Sequence, residues 1–251
     1  MKASDIKILV LGGTSDAKKI ALELHNKGIC IVYSIAGLVR TPVMPCELLV
    51  GGFTQFGGLT QYLKLKKIDA VLDVTHPFAK NMSTQAVRST QEIQIPCWRF
   101  NRLPWVRQPK DQWLEFSNWH DLINSLKGKK SVFLTAGQLD QESIDQLATY
   151  TGQKQVLRTA VESSMCIPNS MTWVKAIGPF NEVNETELIS NHAVDALVCK
   201  NSGGAATEAK LLVARKKRIP VFMYQRPQLP RADIEFTEID ECLSFITRYR
   251  K

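Results

Sequence analysis

No C-x-x-C pair, no apolar run longer than a β-strand and no low-complexity stretch occur in this 251-residue chain. Each absence removes a class of protein. Apolar runs such as Ile8–Leu11 and Ala70–Leu72 fall far short of the about 20 residues that a membrane-spanning helix needs. The opening Met1-Lys2-Ala3-Ser4-Asp5 lacks the apolar stretch of a secretory signal, so a cytoplasmic chain with no membrane partner is expected. The six cysteines (Cys30, Cys46, Cys97, Cys166, Cys199 and Cys242) lie far apart. They read as buried thiols or chance surface positions, and no metal site is expected. With 14 glycines and 11 prolines the chain is neither collagen-like nor a Pro/Gly-rich disordered segment.

What is present is ordinary in amount and uneven in charge. Apolar residues make up 44%, enough for a buried core without staples. Lys and Arg number 32 against 24 Asp and Glu, a surplus of +8 that points to an anionic partner. Nucleic acid is the poorest fit, because no Lys/Arg stripe with interleaved aromatics occurs apart from the short 98–107 segment.

Short apolar runs alternate with amphipathic stretches of helical length, the pattern of repeated βα units and a parallel sheet. Strands are predicted over Lys7–Leu11, Ile29–Ala36, Glu47–Val50, Asp69–Val74 and Ile95–Phe100. Helices are predicted over Ser15–Lys27, Leu59–Lys67 and Asn81–Gln91. The Pro- and Trp-containing segment 101–113 breaks the rhythm and marks a boundary. Beyond it the alternation resumes with strands over Ser131–Thr135, Val156–Val161, Thr172–Ala176, Ala196–Cys199 and Pro220–Tyr224. Helices are expected over Glu185–Asn191 and Ala205–Lys217, then one short strand and a helix in Ile234–Arg250. The expected fold is α/β: two Rossmann-like doubly wound domains, 1–104 and 105–251, with mainly parallel sheets and a cleft between them.

Doubly wound sheets bind ligands at the carboxyl ends of their strands, so the residues just past each strand matter most. Gly12-Gly13-Thr14-Ser15 follows the first strand and opens a helix, which suits phosphate binding. It is neither G-x-G-x-x-G nor a P-loop. After the second strand come Gly37 and Arg40 with no acid between Cys30 and Cys46, which favours a 2′-phosphate and hence NADPH, with NADH possible. Gly52 and Phe53 follow the third strand, Thr75 and His76 the fourth. His76 is one of four histidines; His25, His120 and His192 fall on or beside helices and read as surface residues. Gly137 and the run Lys200-Asn201-Ser202-Gly203-Gly204 repeat the theme in the second half. Tyr62 and Lys66 have a dehydrogenase-like spacing but sit on an early helix and read as helix surface.

Taken together, the loops resemble those of the precorrin-6A and cobalt-precorrin-6A reductases of corrin ring biosynthesis. The matching pieces are Leu11–Ala17, Ser34–Arg40, Val50–Phe53, Asp73–Ala79, Lys200–Gly204 with Thr207 and Lys210, and Ile219–Val221, in family order. Leu38 departs from the family's usual polar residue, and Gln138–Thr151 matches least. The resemblance implies hydride transfer from NADPH to a double bond of precorrin-6A or its cobalt form, giving precorrin-6B, with a tetrapyrrole polycarboxylate as substrate. A monomer or small homo-oligomer is expected. On this reading Gly12, Gly13, Thr14, Ser15, Gly37, Arg40, Gly52, Phe53, Thr75, Gly137, Ser202, Gly203 and Gly204 contact the cofactor. His76, Lys200 and Ser202 are the catalytic candidates, and Arg99, Arg102 and Arg107 are expected to pair with substrate carboxylates. A non-catalytic NADP-binding redox sensor would use the same loops.

Overall fold

The computed structural model describes residues 6–37, 42–137, 139–162 and 165–249. The first βα run comprises β1 (Lys7–Leu11), α1 (Ser15–Asn26), β2 (Cys30–Ile35), β3 (Glu47–Val50), α2 (Leu59–Leu65), β4 (Ala70–Asp73), α3 (Lys80–Ile93) and β5 (Cys97–Phe100). The second comprises β6 (Trp113–Phe116), α4 (Trp119–Asn124), β7 (Ser131–Leu134), α5 (Gln141–Ala148), β8 (Lys154–Thr159) and β9 (Met171–Lys175). It continues through α6 (Glu182–Asn191), β10 (Ala196–Lys200), α7 (Ala209–Lys217) and β11 (Val221–Tyr224), and the chain closes with β12 (Ile234–Phe236) and α8 (Ile239–Arg248).

Two six-stranded sheets result, in the orders β12-β5-β4-β1-β2-β3 and β6-β11-β10-β7-β8-β9. Every neighbouring pair is parallel. Parallel sheets are covered on both faces, which is why β1 is apolar from Ile8 to Leu11 rather than alternating. Ile8 and Val10 pack with Ala17, Ile20 and Leu24 of α1, while Leu9 and Leu11 pack on the other face with Leu59, Leu63 and Val87. In the second sheet Ala196 and Val198 face Leu122 and Ile144, and Leu197 and Cys199 face Leu211 and Ala214.

The chain divides into Met1–Leu103 with Pro227–Lys251, and Pro104–Arg226. The boundary expected after residue 104 therefore has a second crossing: the tail expected in the second domain returns to the first. There β12 lies beside β5, with Ile234 opposite Trp98 and Phe236 opposite Phe100. Asp233 Oδ2 accepts from the Cys97 N–H at 2.7 Å, and Phe245 and Tyr249 of the tail meet Trp98 edge-on at 5.4 and 4.8 Å. The sixth strands are thus exchanged in chain order. The strand after β5 completes the second sheet, and the strand after β11 completes the first.

Other differences are local. β6, α4 and α5 were not expected; β6 is an edge strand with only Trp113 fully buried, so it carries little alternation. The helix expected over Ala205–Lys217 begins as a 3-10 turn at Ala205–Thr207 and becomes α-helical at Ala209. Tyr62 is not on the helix surface. It is fully buried between Phe53 and Phe56, with ring centroids at 5.2 and 4.9 Å. Burial pushes its phenol up to about 12.

Candidate active site

In the first sheet the strand order reverses between β1 and β4, the switch point where doubly wound sheets take ligands. The turn after β1 is shaped for a backbone that must stay bare. A Cβ on Gly12 would lie 2.5 Å from the Tyr33 ring, and Gly13 has φ +105 with open space where its Cβ would be. The Gly13 N–H donates to the Tyr33 hydroxyl at 3.3 Å. Thr14 caps α1: its hydroxyl accepts from the Ala17 N–H at 3.0 Å and donates to the Val74 carbonyl at 3.0 Å, tying the β1 turn to the end of β4. The Thr14 hydroxyl is therefore engaged within the fold, whereas Ser15 stands exposed at the first helical position. Bare glycine backbone and a helix N-terminus beside it fit the pyrophosphate of a dinucleotide.

The end of β4 is organised by a buried carboxylate. Asp73, 1% exposed, accepts from the Thr75 hydroxyl at 2.6 Å and the Thr75 N–H at 3.1 Å. Its other oxygen takes a 3.1 Å bond from Arg99 Nε. Arg99 also donates to the Glu235 carboxylate and the Pro230 carbonyl, each at 2.9 Å. Arg99 is thus committed to the core and does not serve a substrate carboxylate as expected. Arg107, by contrast, is exposed, and its guanidinium donates to the Asp111 carbonyl at 3.1 and 3.3 Å. His76 is exposed, with Nδ1 accepting from the Phe78 N–H at 3.3 Å.

At the ends of β2 and β3, a Cβ on Gly37 would meet Val50 at 2.5 Å, and Gly52 caps a 3-10 turn over Phe53–Phe56. The Phe53 side chain is buried against Tyr62 and Leu59, so its expected cofactor contact is not available to the ring. Arg40 lies outside the described residues.

In the second sheet the order reverses between β7 and β10. Thr135, just past β7, donates its N–H and hydroxyl to the Val198 carbonyl at 2.8 and 2.9 Å, bridging that switch point as Thr14 does in the first. Gly137 follows at positive φ. The Lys200–Gly204 loop is held from behind. Arg226 donates to the Asn201 carbonyl at 2.9 Å and the Ser202 carbonyl at 3.0 Å. The Asn201 side chain brackets Trp105, accepting from its N–H at 2.9 Å and donating to its carbonyl at 3.3 Å. Burial holds the Lys200 ammonium below the usual lysine range. Lys210, 4% exposed, sits over the Trp105 ring at 5.0 Å and donates to the Thr207 carbonyl at 2.6 Å.

The predicted residues therefore gather at the carboxyl edge of their own sheets: Gly12, Gly13, Thr14, Ser15, Gly37, Gly52, Thr75 and His76 in one, Gly137, Lys200, Ser202, Gly203 and Gly204 in the other. Residues that position them went unpredicted. Asp73 breaks an apolar run at a strand end, a readable signal, and Asn201 stands within the polar run Lys200–Gly204 with no role assigned to it; Arg226 and Tyr33 act through contacts that no spacing reveals.

A fully parallel sheet in the order 3-2-1-4-5-6, with a glycine turn and a helix N-terminus at its switch point, defines a Rossmann-type dinucleotide fold. The particular family follows from comparison: the model of the family described as "Precorrin-6x reductase CbiJ/CobK" matches residues 7–247, and this chain belongs to that family. It is 33% identical to the precorrin-6A reductase of Rhodococcus erythropolis over 96% of this chain and 97% of the relative. It is 34% identical to that of Rhodobacter capsulatus over 91% of both chains. Identity to the cobalt-precorrin-6A reductase of Methanococcus maripaludis is 25%, over 96% of this chain and 99% of the relative. A solved structure described as "CobK precorrin-6A reductase" matches with a TM-score of 0.86 and 32% identity, covering 96% of this chain and 95% of the other.

Proposed function

We propose that this chain is a precorrin-6A reductase that uses NADPH to reduce one double bond of the macrocycle, giving precorrin-6B. The observation that carries the reading is the family match over 7–247, joined to a solved relative of the same fold across nearly the whole chain. The metal-free ring is favoured over its cobalt form, because identity is higher to the relatives named for the metal-free substrate.

When bound, the dihydronicotinamide supplies the hydride; the protein positions the partners and excludes water. The Gly12–Ser15 turn holds the pyrophosphate at the α1 N-terminus, where the bare glycines let it approach the first N–H groups of the helix. Arg40 takes the 2′-phosphate. Asp73 fixes Thr75, and with it the approach to His76, on the sheet edge that also carries the glycine turn. Arg226 fixes the loop bearing Lys200 and Ser202. His76 or Lys200 donates the proton that follows hydride delivery; a lysine held below its usual pKa gives its proton up more readily at neutral pH.

The test is coenzyme oxidation by the purified chain with precorrin-6A, followed by absorbance and product analysis. NADPH consumption with precorrin-6B formed is expected, and coenzyme binding without turnover would instead favour a redox sensor. Arg40→Ala should raise KM for NADPH about tenfold or more while leaving NADH nearly unchanged, since a charge-assisted bond to phosphate contributes about 1.5–3 kcal/mol. An equal loss for both coenzymes refutes the 2′-phosphate role.

A further inference from the structure

Asp16 stands where an anion-binding helix should not want it. It lies in the first turn of α1, one residue past Ser15, at the end of the helix assigned to the pyrophosphate. An acid there favours the helix itself, because it complements the positive end of the dipole. The same charge repels an anionic ligand at that end. Arg102, just beyond the end of β5, resolves the conflict: its Nη1 donates to Asp16 Oδ2 at 2.8 Å, with both side chains mostly shielded from water at 19% and 26% exposure. Asp16 and Arg102 line a small pocket of about 10 Å³ at the ends of β1, β4 and β5, together with Thr14, Thr75 and Phe100.

We propose that Arg102 is a positioning residue that neutralises Asp16, so that the α1 N-terminus keeps its attraction for the dinucleotide phosphates while the helix keeps its stabilising acid. This replaces the expectation that Arg102 pairs with a substrate carboxylate. It rests on the dinucleotide assignment made above. The pair does for the α1 terminus what a neutral capping residue does elsewhere, with the added effect of tying the end of β5 to the phosphate turn. Thr14 caps the helix, so the Asp16 carboxylate is not needed as the N-cap acceptor.

NADPH dissociation constants measured by titration calorimetry on the full chain test the idea. Arg102→Gln leaves the Asp16 charge uncompensated and weakens NADPH about two- to fivefold, the size of a first-turn charge effect. Asp16→Asn tightens it by a similar factor, because the negative charge at the helix end is removed. The double variant returns to within about twofold of the wild type, and Arg102→Lys, which keeps the charge, stays within about twofold. The differences shrink as salt is raised. A double variant as weak as Arg102→Gln means that Arg102 touches the ligand itself and overturns the proposal, as does unchanged affinity in both single variants. Should Arg102→Gln fail to fold, Asp16→Asn carries the test, and unchanged or weaker binding by it overturns the proposal. No NADPH binding by the wild type overturns the dinucleotide assignment and the role of the pair with it.

Discussion

The contact between Gly12 and Tyr33 makes a quantitative prediction. A Cβ at position 12 would sit 2.5 Å from ring carbons of Tyr33 and 2.6 Å from its hydroxyl, well inside the about 3.5–4.0 Å at which carbon atoms pack. Tyr33 has no easy retreat. It is 2% exposed on a central strand, packed in the same core cluster as Ile8, Val10 and Leu24. Its hydroxyl also accepts the Gly13 N–H, so a ring that swings away gives up that bond, which contributes about 1 kcal/mol. Overpacking of this kind costs about 1–3 kcal/mol. Gly12→Ala should therefore lower stability by about 2–3 kcal/mol, or the thermal midpoint by about 2–4 °C per kcal/mol for a chain of this size. The decisive assay is a double-mutant cycle by chemical denaturation with Tyr33→Leu, which removes the ring atoms in question. In the Tyr33→Leu background Gly12→Ala should cost under about 0.5 kcal/mol, leaving a coupling of about 2 kcal/mol. An equal cost in both backgrounds would show that Tyr33 does not dictate the glycine.

Two further expectations concern buried charge. Asp73→Ala should destabilise the chain by about 3 kcal/mol, the lower end of the range for breaking a buried pair, because Arg99 keeps its bond to Glu235. A loss under about 1 kcal/mol by denaturant titration would contradict that account. Lys210 is buried, and desolvation lowers its pKa from the usual 10.5. The folded state then binds protons less readily than the unfolded chain. The penalty is full below the folded pKa and is relieved as pH rises through it toward 10.5, so stability relative to Lys210→Met should climb with pH on the alkaline side. A stability difference that stays flat from neutral to alkaline pH would mean the lysine is not strained by burial.

The chain's order of strands and helices was legible because period and length encode it. β1, β3 and α1 lie where apolar runs and helical spacing put them, and Thr14 capping α1 follows from residue type. The loops that carry the candidate site were legible for the same reason, since the carboxyl end of a parallel strand is a position in the sequence as much as in space. Phe53 and Tyr62 were misread because an aromatic next to a turn or among lysines has no marker for the direction it points. Their mutual packing under the sheet decided that.

By itself the sequence determined the βα alternation, the parallel sheets it demands, the glycine turns and the family to which they belong. Tertiary structure alone decided which sheet each late strand joins, because β12 has the same local pattern whether it pairs with β5 or elsewhere. Asp233, Trp98, the tail's aromatics and the Arg99–Glu235 pair select the partner. It also decided which charges are sealed in the core. Arg99 and Arg102 lie three residues apart at the end of one strand, yet Arg99 is sealed against Asp73 and Arg102 reaches Asp16 at the edge of the site. Burial, which depends on everything packed around a residue, separates them where spacing could not.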